Sequence, residues 1–169
     1  IWQFGTLTFA YPDDWYAVTL VGNLFLANTA EMTLGADMVP GQMIVRFVAP
    51  DFNMTVFESE ENIRGCSING EAITPMAVIN TQMLGDAEAA LVAQGVLYTE
   101  PRPVALNNHL AAEMWLFTED HDMMVLAVDM GGGNVVSMTV FAYPGEMELY
   151  EDVLMFIADS LTYTPDGCQ

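Results

Sequence analysis

Large apolar and small polar residues alternate along residues 3–10 (QFGTLTFA), the period of a strand with one buried face. The alternation stops at Tyr11-Pro12-Asp13-Asp14-Trp15, a turn cluster carrying two aromatics. Residues 16–21 and 24–28 repeat the strand pattern, and Gly22-Asn23 between them predicts a tight hairpin. Residues 30–41 lose the periodicity and end on Pro40-Gly41, so they are expected to form a loop. Residues 42–49 (QMIVRFVA) are almost continuously apolar, which predicts a central strand buried on both faces.

Polar residues dominate 51–70, where no regular period is visible. Thr74-Pro75 then predicts a helix start, because Thr caps the free N–H groups and Pro suits the first helical position. Residues 86–94 (DAEAALVAQ) have high helix propensity, with Gly95 placed to end them. Four strands are expected next, at 96–100, 109–118, 123–129 and 135–143. The turns at Glu119-Asp120-His121-Asp122 and Gly131-Gly132-Gly133-Asn134 make the last three an antiparallel meander. A closing helix over 146–161 sets Leu149, Val153, Leu154, Ile157 and Leu161 on one apolar face. Its acids, Glu146, Glu148, Glu151 and Asp152, come early, where the helix dipole favours them. The pattern predicts one α+β domain over 1–169: an antiparallel sheet of about six or seven strands with helices packed on it.

Composition narrows the function classes. The 169 residues hold 23 acids against 3 bases, Arg46, Arg64 and Arg102, for a formal net charge of −20. There is no lysine, where ordinary usage would supply about ten. Nucleic-acid binding is excluded on this ground, since no basic patch exists to neutralise phosphates. Polybasic attraction to anionic lipid fails for the same reason. No window of about 20 residues is apolar enough to be a transmembrane helix, so direct membrane insertion is not expected. Apolar types reach 53%, which excludes disorder and leaves apolar surface available for a neighbouring copy.

Cys66 and Cys168 lie in no CxxC pair and have no histidine at zinc spacing. A disulfide between them fits an exported protein and would close a long loop, worth up to about 4–5 kcal/mol in the chain-entropy model. Two buried thiols are the plainer alternative. The first residue, Ile1, is expected to mark a processed chain.

Candidate chemistry is sparse. Asp51, Glu58, Glu60 and Glu61 form the densest acidic stretch, and Asp120 and Asp122 flank His121 in a turn. Either group offers hard oxygen ligands suited to Ca2+, although neither has the spacing of an EF-hand loop; solvated charge is the simpler expectation for both. His109 has no nucleophile tied to it by spacing. The run at Gly131 joins two strands rather than a strand and a helix, so it does not cradle phosphate. No serine lies in a GxSxG context. No cofactor is expected, and the chain is not expected to be an enzyme.

The order of elements resembles the PsbP-like group, the extrinsic subunits of photosystem II and their bacterial secreted and lipoprotein relatives. The resemblance rests on the opening strand running into Tyr11-Pro12-Asp13-Asp14-Trp15 and on the Gly22-Asn23 hairpin. The Ala111-Ala112 strand with its meander, and the closing Ile157-Ala158-Asp159-Ser160-Leu161, complete it. It implies a non-enzymatic α/β/α sandwich used outside the cytoplasm as an accessory or interaction module. Photosystem members dock through basic residues that this chain nearly lacks, so that partnership is not carried over, and no family metal site matches.

Two functions are therefore expected to compete. In the first, an exported, extracellular or cell-surface protein binds copies of itself in a filament or surface layer, with Ile1, Trp2 and Phe4 packing on a neighbour or adding to its sheet edge. In the second, a monomeric accessory module binds calcium, a small apolar ligand or a membrane complex.

Overall fold

The computed structural model describes residues 2–4, 7–20, 23–32, 38–48, 74–80, 88–131 and 134–163. Its main sheet is antiparallel and has eight strands. β3 (Tyr16–Leu20), β4 (Asn23–Ala27) and β5 (Met43–Val48) form one half. β8 (Leu110–Phe117), β9 (Asp122–Gly131) and β10 (Asn134–Ala142) form the meander. The order runs β3-β4-β5-β10-β9-β8, and the outer side of β8 is shared by β6 (Leu97–Tyr98) and β7 (Arg102–Ala105). A smaller sheet orders β1 (Trp2–Phe4), β2 (Leu7–Phe9) and β11 (Thr162–Tyr163), with β2 in the middle.

The strands expected around β3, β4, β5, β8, β9 and β10 are all present. Asn23 is the first residue of β4, opposite Leu20, rather than part of the hairpin loop. The opening stretch is two paired strands instead of one, with Phe4 opposite Leu7. β7 and β11 went unforeseen. Pro101 and Pro103 flank and interrupt β7 in the sequence, and a proline is tolerated in a strand only at a sheet edge; β7 occupies such an edge.

Both faces of the central strands are covered, which is why they read as nearly continuous apolar runs. On one face, α3 (Glu151–Asp159) and the small sheet pack Leu154, Ile157, Ala158, Leu7 and Phe9 against Val45, Leu126 and Met138. On the other, α1 (Pro75–Ile79) sets Val78 and Ile79 on Met114, Leu116 and Val125. Leu91 of α2 (Glu88–Ala93) joins that second layer. The result is the expected α/β/α layering.

Local chemistry places the helix ends. Thr74 caps α1 by accepting the Ala77 N–H at 3.2 Å, with Pro75 in the first turn. α2 stops where Val96 N–H bonds Leu91 O and Gly95 N–H bonds Val92 O, with Gly95 at φ 71°. That is a Schellman closure, which needs the left-handed backbone that glycine supplies.

The closing helix departs from expectation at its start. Met147–Tyr150 is a 3-10 turn, and only Glu151–Asp159 is α-helical. The tighter winding rotates Leu149 outward, where it is 76% exposed, and buries Met147 in its place.

Candidate functional site

A cleft of about 620 Å³ opens between the edge strand β7 and α3. Strand alternation builds its floor. Ala111 and Trp115 of β8 point into the α3-side core, so Glu113 between them points to the same side. Glu113 lines the cleft yet is only 1% exposed. Its register neighbour across the sheet is Arg102 of β7. Arg102 donates from Nε to Glu113 Oε1 at 2.6 Å and ion-pairs through Nη2 with that same oxygen. The Arg102 side chain is itself 64% exposed. Glu113 Oε2 is buried without a hydrogen-bond partner.

α3 supplies the opposite wall. Glu151, Asp152, Met155, Phe156 and Asp159 lie along it, one turn apart or closer, as helical spacing dictates. Phe156 is 53% exposed. At the far end the turn after β7 is fastened to the helix: Asn107 Nδ2 donates to Asp159 Oδ2 at 2.9 Å, and Asn108 N–H to Oδ1 at 2.8 Å. Those two bonds, Asn107's foremost, hold the Asp159 carboxyl below its ordinary range, and nearby His109 adds to the effect. Among the described residues, the lining includes no Ser, Thr, Cys, Tyr, His or Lys.

On the other side of β7 lies an apolar groove of about 400 Å³, reached by Met76, Pro75 and Leu110. A separate polar knot ties the loop before β5 to the 3-10 turn. Gly41 N–H donates to Glu146 Oε2 at 2.7 Å, and Asn28 bridges to Gly41 O and the Met43 N–H, each at 2.8 Å. Tyr150 is raised above its usual range by burial and by Glu146, against a bond from Asn28 that lowers it.

The residues singled out from the sequence are dispersed. Asp51, Glu58, Glu60, Glu61, Cys66, Cys168 and Ile1 lie outside the described residues. Asp120 is exposed in its turn. Asp122 is buried at the start of β9, and its Oδ2 accepts the Gly145 N–H at 2.7 Å. His121 is held within the turn by Thr118, whose Oγ1 accepts its N–H at 3.1 Å, and its ring lies 5.6 Å from that of Phe141. Among the described residues no three His, Cys, Asp or Glu side chains gather closely enough to hold a metal ion. Trp2 and Phe4 pair by backbone with Phe9 and Leu7 of their own chain, the arrangement in which this segment completes its own sheet.

Glu113 and Arg102 were missed as a pair. The signal was present: Glu113 is a lone acid inside an apolar strand run, and Arg102 is one of three bases in the chain.

Among solved structures, the chain is similar to cyanobacterial PsbP (CyanoP) from Synechocystis sp. PCC 6803, with a TM-score of 0.53 at 10% identity, covering 94% of this chain and 87% of that one. The fold is PsbP-like. LpqN, described as involved in cell envelope biogenesis of Mycobacterium tuberculosis, aligns at a TM-score of 0.47 and 13% identity, over 94% of this chain and 83% of that one. No protein-family model and no curated protein sequence matches the chain. Among the described residues no helix is long and apolar enough to cross a membrane.

Proposed function

We propose that this PsbP-like chain is a non-enzymatic accessory module that works outside the cytoplasm and engages a partner through the cleft between β7 and α3. The observation that carries the proposal is the buried Glu113 in the cleft wall, half satisfied by an exposed Arg102 and set among carboxylates. A half-satisfied charged pair among further carboxylates in a cleft suits recognition of a charged group. An exported setting is supported by the acidic, lysine-free composition.

The competing function is self-association into a filament or surface layer. Light scattering at low salt, first with calcium and then with chelator, separates the two. A monodisperse species near 18.6 kDa in both conditions is expected for the accessory module. Large ordered particles would sink it, and their loss on chelation would put calcium between acidic faces.

A further inference from the structure

Arg102 satisfies Glu113 poorly. A guanidinium pairs best with a carboxylate through two parallel bonds, one to each oxygen. Arg102 sits directly across the ladder from Glu113 and brings both Nε and Nη2 to Oε1, which leaves Oε2 buried and bare. A buried acceptor without a donor carries its desolvation cost unrelieved. Arg102, mostly in solvent, can swing outward without breaking any packing in the core.

The surroundings state which sign of charge belongs there. Among the described lining residues one cation, Arg102, faces four carboxylates, Glu113, Glu151, Asp152 and Asp159, an excess of three acids. Phe156 offers an exposed ring at the mouth, where an aromatic face attracts a cation. At long range the net charge of −20 draws basic partners toward the whole chain. Pro103 in the edge strand has no N–H to give, which works against an incoming chain extending the sheet. Recognition at this edge therefore falls to side chains.

We propose that the cleft between β7 and α3 is a socket for an arginine or lysine side chain on a basic segment of a partner protein, which displaces Arg102 and pairs with both oxygens of Glu113. Glu151 and Asp152 then meet the neighbouring basic residues of that segment. This inference rests on the accessory-module function and names the chemistry of its partner.

The test is fluorescence anisotropy with a labelled hexaarginine peptide at physiological salt, where diffuse attraction between exposed charges is screened. Glu113→Gln is expected to weaken binding by about tenfold or more, as loss of a buried charge partner does. The helix-surface double variant Glu151→Gln/Asp152→Asn keeps the test decisive should Glu113→Gln fold poorly, and is expected to weaken binding by roughly threefold to tenfold. Glu119→Gln/Asp120→Asn removes the same two charges outside the cleft and is expected to leave affinity unchanged. Equal weakening by the two double variants would overturn the socket in favour of diffuse attraction. Displacement of the peptide by millimolar free arginine would overturn the partner segment in favour of a small-cation pocket. A wild-type chain that runs near 18.6 kDa but ignores the peptide would overturn this inference alone, leaving the accessory module standing. Large particles in light scattering would instead overturn the module, and with it the inference that rests on it.

Discussion

Asp159 Oδ1 accepts the backbone N–H of Asn108 at 2.8 Å, across 51 residues of sequence. The pair is reinforced on both sides. Asn107 donates to the other carboxylate oxygen, Asn108 Nδ2 reaches Asp159 O at 3.2 Å, and His109 Nε2 lies 3.0 Å from Leu161 O. An acid in the last turn of a helix sits against the helix dipole. Its place at the end of α3 is explained by what it holds: the turn between β7 and β8, and with it one end of the cleft.

The first prediction follows from the sign of that interaction. The Asn107 and Asn108 bonds lower the folded-state pKa of Asp159 below its ordinary 3.8. A group depressed on folding contributes stability that is fully present above the unfolded value and is lost as pH falls through the folded one. Asp159→Ala is therefore expected to melt at a lower temperature than wild type at neutral pH, and the gap to close on acidification below 3.8. Thermal scans from neutral pH to about pH 2 check this. A gap that stays constant over that range would show that the carboxylate charge is not what fastens the turn.

Arg102 and Glu113 give a second prediction, in which one partner matters more than the pair. Arg102→Ala leaves a buried carboxylate with no cation, which is expected to cost about 3 kcal/mol in urea unfolding. Arg102→Ala with Glu113→Gln removes the charge as well and is expected to recover most of that loss. Additive losses in the double-mutant cycle would mean that the two side chains do not interact.

Asp122 separates a structural carboxylate from a calcium ligand. Its buried Oδ2 holds the Gly145 N–H at 2.7 Å, at a turn where Gly145 takes φ 81°. Asp122→Ala strands that donor and is expected to cost about 1–3 kcal/mol. Asp122→Asn keeps an acceptor in place and is expected to lose less. The melting temperature of each, with and without calcium, is the measurement. If the Asn variant falls as far as the Ala variant and wild type gains stability with calcium, the oxygen serves an ion rather than Gly145.

The strands were legible wherever one physical signal dominated. The runs around Val45, Leu126 and Met138 read as strands because both faces of the central sheet are buried, and Thr74-Pro75 and Gly95 marked helix ends through backbone chemistry local to those residues. β7 was illegible because Pro103 argues against a strand until an edge is known to be available, and availability is a property of the whole sheet. β11 is two residues long and exists only because β2 offers it a partner. The cleft was hidden for a related reason. Arg102 and Glu113 are 11 residues apart in sequence, and only the β7–β8 register sets them opposite each other. Glu113 carries the one local signal, a charge in an apolar run whose cost demands a partner, and that signal does not say which residue answers it.

The same limit on pattern reading yields the last prediction. A uniform α-helix over 146–161 would set Leu149 beside Val153 and Leu154 on the buried face. The 3-10 turn at Met147–Tyr150 shifts the phase, so Leu149 faces water while Leu154 is fully buried against the sheet. Leu154→Ala is expected to cost about 2–5 kcal/mol, from lost burial and the cavity left behind. Leu149→Ala, five residues away on the same segment, is expected to change stability by less than about 0.5 kcal/mol. Met147→Ala should behave like Leu154→Ala, since Met147 takes the place in the core that α-helical spacing assigns to Leu149. Urea unfolding of the three variants reads out the phase of the segment directly. Comparable losses at Leu149 and Leu154 would restore the continuous helix and place Leu149 in the core.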